Sequence, residues 1–131
     1  MANELILIIE DNEKNRKLMR DVLQFQGYRT VESENAEEGL RLAANLAPAL
    51  ILMDIHLPGM NGIEALGALR ADPATRGILV MAVTASVMPQ DRQMVTNEGF
   101  DAYQSKPINV KEFVAAIKEI LKHPRKAGNS P

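Results

Sequence analysis

The chain has 131 residues, of which 46% are hydrophobic and 24% charged, and its formal net charge is −2. These values are typical of one globular domain and argue against a chain that is disordered throughout. The absence of cysteine excludes a disulfide framework, a thiol nucleophile and a cysteine-based zinc site. The small acidic charge gives no reason to expect nucleic-acid binding. Neither a signal peptide nor an apolar run of roughly 20 residues is visible, so we expect a cytoplasmic protein without a membrane span.

Short apolar runs alternate with amphipathic stretches along the chain. Runs of four to six apolar residues are too short for helices and are typical of strands buried on both faces of a parallel sheet. Three such runs and two weaker candidates predict strands at residues 5–9, 29–33, 50–53, 78–83 and 101–104. Cap and stop residues predict helices at residues 12–26, 35–47, 61–71, 89–98 and 109–121.

The second of these helices has a specific predicted face. Asn35 precedes Glu38 by three residues, which is the spacing of a helix start. The apolar spacing then predicts that the inward side chains are Leu40, Ala43, Ala44 and Ala47.

The order of elements is strand then helix, five times over. Right-handed crossovers then imply an α/β fold, a doubly wound five-stranded parallel sheet with helices on both faces. We predict one domain over residues 1–122. Residues 123–131 contain two prolines, a glycine and three basic residues, and we predict a flexible C-terminal tail there.

Polar residues stand where four of the predicted strands end. Glu10 and Asp11 follow the first strand, Asp54 the third, Thr84 the fourth and Lys106 the fifth. Each of these residues by itself also fits a loop, cap, structural or surface role. Because the carboxyl ends of parallel strands share one edge of the sheet, we expect all five side chains to converge there.

Three carboxylates in one small area repel one another unless some stay protonated or a cation neutralises them. Oxygen ligands favour a hard ion, and Mg²⁺ commonly joins protein carboxylates to a phosphate oxygen. Lys106 could pair with a second phosphate oxygen, and Thr84 could hydrogen-bond a third. The set therefore contains the parts needed for phosphoryl transfer to a carboxylate, with Asp54 as the acceptor.

Four segments of the chain resemble the receiver domain of two-component response regulators. In chain order they are residues 8–12, 52–62, 83–85 and 105–107, which read IIEDN, LMDIHLPGMNG, VTA and SKP. Their order and spacing extend over about residues 4–122. The stretch EDNEKN, followed by KL, is similar to single-domain receivers of the DivK type and also to receivers attached to hybrid histidine kinases. The resemblance implies a flavodoxin-like (βα)5 fold.

The resemblance implies a role for each matched residue around the phosphoryl group. Asp54 would be the phosphoacceptor, Lys106 would pair with the phosphoryl group, and Thr84 would contact it. Tyr103 would be the switch aromatic, whose ring turns inward as Thr84 moves. Pro107 would follow a cis peptide bond.

The resemblance also implies a Mg²⁺ site. Asp11 and Asp54 would bind the ion directly, Glu10 through water, and the backbone carbonyl of His56 would complete the protein ligands. The side chains of His56 and Ser86 would tune the lifetime of the phosphoryl group. A zinc site at His56 is disfavoured, because the other histidine of the chain lies in the tail.

In function, the resemblance implies a phosphorylation-dependent binding switch and not a turnover enzyme, although self-dephosphorylation is compatible with it. The phosphoryl group would come from a histidine kinase or a histidine phosphotransfer protein, and it could be passed onward along a phosphorelay. A downstream protein would bind the face made by the fourth predicted helix, the fifth strand and the fifth helix. A monomer and a weak dimer are both reasonable.

Other functions remain open from the sequence. A Mg²⁺-dependent phosphatase of the haloacid-dehalogenase type would carry a second acid two residues after its nucleophile, where this chain has His56. A flavin- or nucleotide-binding module is opposed by the acidic loop after the first strand, which lacks glycine. A degenerate receiver is opposed by the presence of all the chemical residues, and a receiver piece of a hybrid kinase fits the same motifs.

Overall fold

The computed structural model describes residues 3–85 and 99–123. Five strands form one parallel sheet in the order β2-β1-β3-β4-β5. Their bounds are β1 (Leu5–Ile9), β2 (Arg29–Ser33), β3 (Leu50–Asp54), β4 (Leu79–Thr84) and β5 (Ala102–Ser105). The predicted doubly wound sheet is therefore confirmed, and three of the strands end one residue later than predicted.

Four helices are described, with bounds α1 (Glu13–Phe25), α2 (Ala36–Leu46), α3 (Gly62–Ala71) and α4 (Val110–Leu121). Each begins after an asparagine whose side chain accepts a hydrogen bond from the third helical N–H, which satisfies one of the free donors at a helix start. The helix predicted at residues 89–98 lies outside the described residues, so α4 is the fifth predicted helix. Within the described ranges, no helix is long and apolar enough to cross a membrane.

The core lies on both faces of the sheet. All residues of β3 and β4 are buried, as are the last four of β1, which is the environment that their continuous apolar runs predict. Helices α2 and α3 contribute Ala43, Leu66 and Leu69 to one hydrophobic cluster. Helices α1 and α4 contribute Leu23 and Phe113, among others, to a second cluster on the opposite face. Helices thus cover both faces, and the carboxyl edge of the sheet stays available for polar side chains.

The inward face of α2 differs in part from the prediction. Ala43 is buried and Leu40 packs against the core, whereas Ala44 and Ala47 are exposed. The buried stripe centres on Gly39 and Ala43, and Ala44 lies at its margin because each residue turns the helix by about 100°. Ala47 lies beyond the last helical residue, in a left-handed conformation at the C-cap. The spacing of the buried residues along α2 was predicted correctly, but the residue at which the helix ends and the direction of its buried face were not.

Candidate functional site

The carboxyl edge of the sheet brings the predicted site residues together. Glu10 directly follows β1, and Asp11 is the next residue. Asp54 and Thr84 are the last residues of β3 and β4, and Lys106 directly follows β5. Glu10, Asp54 and Thr84 are 1%, 5% and 0% exposed, so this edge holds charged and polar groups that are largely removed from water.

Three carboxylates form the acidic part of the site. One carboxylate oxygen from each of Glu10, Asp11 and Asp54 lies within 4.8 Å of the others. Asp11 is exposed, whereas the other two residues are buried. Oxygen atoms at such separations suit a small, hard divalent cation that keeps some of its waters. Oε1 of Glu10 is buried, and the cation that faces it among the described residues is Lys106.

Lys106 supplies the positive charge of the site. Its Nζ donates a hydrogen bond to Oδ2 of Asp54 at 3.1 Å and lies 2.8 Å from Oε1 of Glu10. The second contact is an ion pair. The ammonium group therefore joins the two buried carboxylates and offsets part of their mutual repulsion.

The pKa values of this cluster reflect burial and pairing together. Burial raises the pKa of Glu10, while Lys106 and the Asn12 N–H act in the opposite direction without cancelling the shift. Burial by itself would lower the pKa of Lys106, but its pairing with Glu10 and Asp54 carries that pKa above the ordinary value. Lys106 is therefore a fixed cation at neutral pH.

Backbone groups hold the end of β3 in place. The His56 N–H donates to Oδ1 of Asp54 at 3.0 Å, and the Gly62 N–H donates to the Ile55 carbonyl at 2.9 Å. A Cβ at Gly62 would lie 2.6 Å from the Asp54 carbonyl oxygen and 2.7 Å from the Ile55 Cα. Only glycine allows α3 to start this close to the acceptor strand. The sequence reasoning missed this requirement, whose one visible signal is a glycine at the first position of a helix.

The turn that carries the other two acids is also held by hydrogen bonds. The Asn12 N–H donates to Oε2 of Glu10 at 3.1 Å, and the Glu10 N–H donates to the Ser33 carbonyl at 3.0 Å. Nη1 of Arg16 donates to the Glu10 carbonyl oxygen at 2.8 Å. The sequence reasoning missed Arg16, because no motif spacing distinguishes it from the other basic residues of α1.

The other predicted residues are Tyr103, Pro107, His56 and Ser86. Tyr103 pairs with Ala82 in the β4–β5 register and is partly buried against the core. The Lys106–Pro107 peptide bond is cis, as the resemblance implies. The His56 side chain is exposed. Ser86 lies outside the described residues, so its position relative to Asp54 stays a prediction.

Comparison with known proteins places this geometry in a family. Residues 6–118 match the model of the response regulator receiver domain. The polar-differentiation response regulator DivK of Brucella anthropi is 45% identical over 116 residues, covering 88% of this chain and 94% of that protein. DivK of Brucella ovis is 44% identical over the same length.

Solved structures show the same architecture. A CheY-like receiver domain protein of Methanospirillum hungatei has 31% identity and a TM-score of 0.83, over 92% of this chain and 95% of that one. The receiver domain of the sensor histidine kinase PA1611 of Pseudomonas aeruginosa has 28% identity and a TM-score of 0.84, over 92% of this chain and 99% of that one. That structure has a magnesium ion coordinated in its active site cleft. The chain described here belongs to the receiver domain family of response regulators.

Proposed function

We propose that this chain is a DivK-like, single-domain response regulator that accepts a phosphoryl group on Asp54 and signals by phosphorylation-dependent protein binding. The donor would be a histidine kinase or a histidine phosphotransfer protein, and the acting domain would be residues 1–122. The observation that carries the proposal is the Asp54 carboxylate, buried at the end of β3 and paired with Lys106 beside two further acids.

The transfer itself needs a nucleophile whose geometry is fixed. One Asp54 oxygen accepts the His56 N–H and the other accepts from Lys106, so the carboxylate is oriented before a donor arrives. An Asp54 oxygen attacks phosphorus, the donor's phosphorus–nitrogen bond breaks, and its electron pair returns to the imidazole nitrogen. Lys106 keeps its proton and stabilises the negative charge that the phosphoryl oxygens bring into this buried site.

The residues present fit a bound Mg²⁺. Its protein ligands would be the carboxylates of Asp11 and Asp54 and the backbone carbonyl of His56, with Glu10 acting through water. Three carboxylates face one lysine cation in this cluster, and the excess of negative charge agrees with such a partner. Mg²⁺ would neutralise charge on the transferring group, while the protein groups hold that group in place.

Thr84 and Tyr103 would convert the modification into a change of affinity. A phosphoryl group on Asp54 adds negative charge and acceptor oxygens beside the end of β4, where Thr84 is fully buried. We propose that Thr84 moves to contact it and that the Tyr103 ring then turns inward. Partner binding would change on the face of β5, α4 and the segment 89–98. The lifetime of the mark would depend on His56 and Ser86.

Phosphorylation by a small phosphodonor tests this proposal. We expect the protein incubated with a low-molecular-weight phosphodonor and Mg²⁺ to gain one phosphoryl group by intact-mass spectrometry. Chelation of Mg²⁺ should prevent the gain, because the carboxylates of the site would then repel the donor. Asp54→Asn should abolish it, because an amide oxygen is a poor nucleophile.

Other results would count against the proposal. An equal gain in Asp54→Asn would place the acceptor elsewhere, and a Mg²⁺-independent gain would remove the role proposed for the ion. Steady hydrolysis of diverse phosphate esters by the wild type would support a phosphatase instead. Beryllofluoride offers a second probe: a Mg²⁺-dependent adduct should shift the resonances of Thr84 and Tyr103, and unchanged surroundings there would refute the switch.

A further inference from the structure

Arg16 contacts the acidic site through the backbone and not through the carboxylates. It lies in the first turns of α1, and its side chain is 14% exposed. Nη1 donates to the Glu10 carbonyl oxygen at 2.8 Å, and Nε lies 3.3 Å from Oε1 of Glu32. One guanidinium group thus bridges the turn after β1 to a carboxylate on β2.

Glu32 is shared by two arginines. Its Oε1 faces Arg16, and its Oε2 lies 3.2 Å from Nη1 of Arg20. Glu32 pairs with Ile8 in the β1–β2 register, two residues before Glu10. The two arginines differ in one respect: Arg16 also donates to the Glu10 carbonyl, whereas Arg20 contacts Glu32 and Asp21 among the described residues.

Both backbone polar groups of Glu10 are therefore hydrogen-bonded, one to β2 directly and the other to a side chain that is paired with β2. Its N–H donates to the Ser33 carbonyl, and its carbonyl accepts from Arg16, which Glu32 orients. That carbonyl belongs to the planar peptide between Glu10 and Asp11, so holding the oxygen sets the rotation of this peptide plane. The two side chains that leave from either end of the plane are two of the three acids of the site.

We propose that Arg16 is a positioning residue, which fixes the Glu10–Asp11 peptide and thereby sets the affinity of the acidic site for Mg²⁺. The inference rests on the proposed function, since it takes the acidic site to be a Mg²⁺ site. Arginine suits the position because its rigid fork reaches the carbonyl and Glu32 together, whereas a lysine ammonium is a single point of charge.

The positive charge of Arg16 acts on Mg²⁺ affinity in the opposite direction to its positioning role, so the test must separate the two effects. A cation near the site repels Mg²⁺, so a variant that only removed this charge would bind Mg²⁺ more tightly. Lysine keeps the charge and loses the bridge. The informative variant is therefore Arg16→Lys, and its matched control is Arg20→Lys. Arg20 also pairs with Glu32, but its replacement leaves the contact between Arg16 and the Glu10 carbonyl intact.

Mg²⁺ titration of the unphosphorylated protein, followed by amide resonances, measures the affinity directly. We expect Arg16→Lys to weaken Mg²⁺ binding about 10-fold, as loss of groups that orient metal ligands commonly does. Arg20→Lys should leave the affinity unchanged. Without Mg²⁺, the Asn12 amide should exchange faster with solvent in Arg16→Lys than in Arg20→Lys, while the two variants unfold at similar denaturant concentrations.

Equal Mg²⁺ affinities for the two variants, or a tighter Arg16→Lys, would overturn the positioning role. Glu32→Gln provides a second test should Arg16→Lys fold poorly: loss of the orienting carboxylate should speed solvent exchange of the Asn12 amide in the absence of Mg²⁺, and an unchanged exchange rate would overturn the inference. A wild-type protein that binds no Mg²⁺ would refute the proposed metal site itself, which is a different result from equal affinities in the variants.

Discussion

Replacing Lys106 with Met should lower the free energy of unfolding by about 3 kcal/mol at neutral pH without Mg²⁺. The side chains of Glu10 and Asp54 are 1% and 6% exposed, and Lys106 is the cation between them. Methionine keeps most of the volume of the lysine stem, so the loss comes from two buried carboxylates left without a counter-charge. Burial raises the pKa of Glu10, so its charged form is already disfavoured, and we place the added cost of losing Lys106 at the lower end of the range for broken buried pairs.

Denaturant unfolding of Lys106→Met beside Lys122→Met measures this loss. Lys122 is 69% exposed and lies 3.8 Å from a Glu119 oxygen, so its replacement should change stability by less than about 0.5 kcal/mol. Added Mg²⁺ should recover stability in Lys106→Met more than in the wild type, since the ion would supply the missing positive charge. Equal stabilities of the two variants without Mg²⁺ would show that Lys106 does not offset the buried carboxylates.

Replacing Gly62 with Ala should destabilise the protein by about 3 kcal/mol, at the upper end of the cost of overpacking. The added Cβ would meet backbone atoms at 2.6 and 2.7 Å, and backbone atoms cannot rotate away as a flexible side chain can. Either α3 or the end of β3 must shift. Because Asp54 is the last residue of β3, we also expect slower phosphorylation of this residue.

Gly67→Ala is the matched control for this change. Gly67 lies in the interior of the same helix, and a Cβ there meets nothing within 4 Å. Alanine should therefore stabilise the protein by about 0.5–1 kcal/mol through its helix preference. Denaturant unfolding of both variants checks the opposite signs, and a neutral or stabilising Gly62→Ala would contradict the close approach of α3 to β3.

The sheet and its acidic edge could be predicted from the sequence for a physical reason. Strands buried on both faces need continuous apolar runs, and such runs stand out between amphipathic helices. Once the strands are parallel, topology alone brings Glu10, Asp54 and Lys106 to one edge. The prediction of the sheet and its acidic edge depends on the order of the elements and on hydrophobicity, and both can be read directly from the sequence.

The missed features depend on contacts between distant segments. Arg16 is one of several basic residues on α1, and only the folded position of the Glu10 carbonyl distinguishes it. The need for glycine at residue 62 comes from the distance between α3 and β3, which no local pattern encodes. The exposed Ala44 shows the same limit, since apolar spacing gives the period of a helix but leaves its rotation against the sheet uncertain by tens of degrees.

The most direct test of the central claim is to locate the phosphoryl group chemically. Borohydride reduces an aspartyl phosphate to homoserine, and tryptic cleavage then separates residues 42–70, in which Asp54 is the one aspartate, from residues 1–14, which contain Asp11. After incubation with a phosphodonor and Mg²⁺, we predict homoserine at position 54 and unmodified Asp11. Homoserine at position 11, or an unmodified residue 54 in protein that has gained a phosphoryl group, would contradict the assignment of Asp54 as the acceptor.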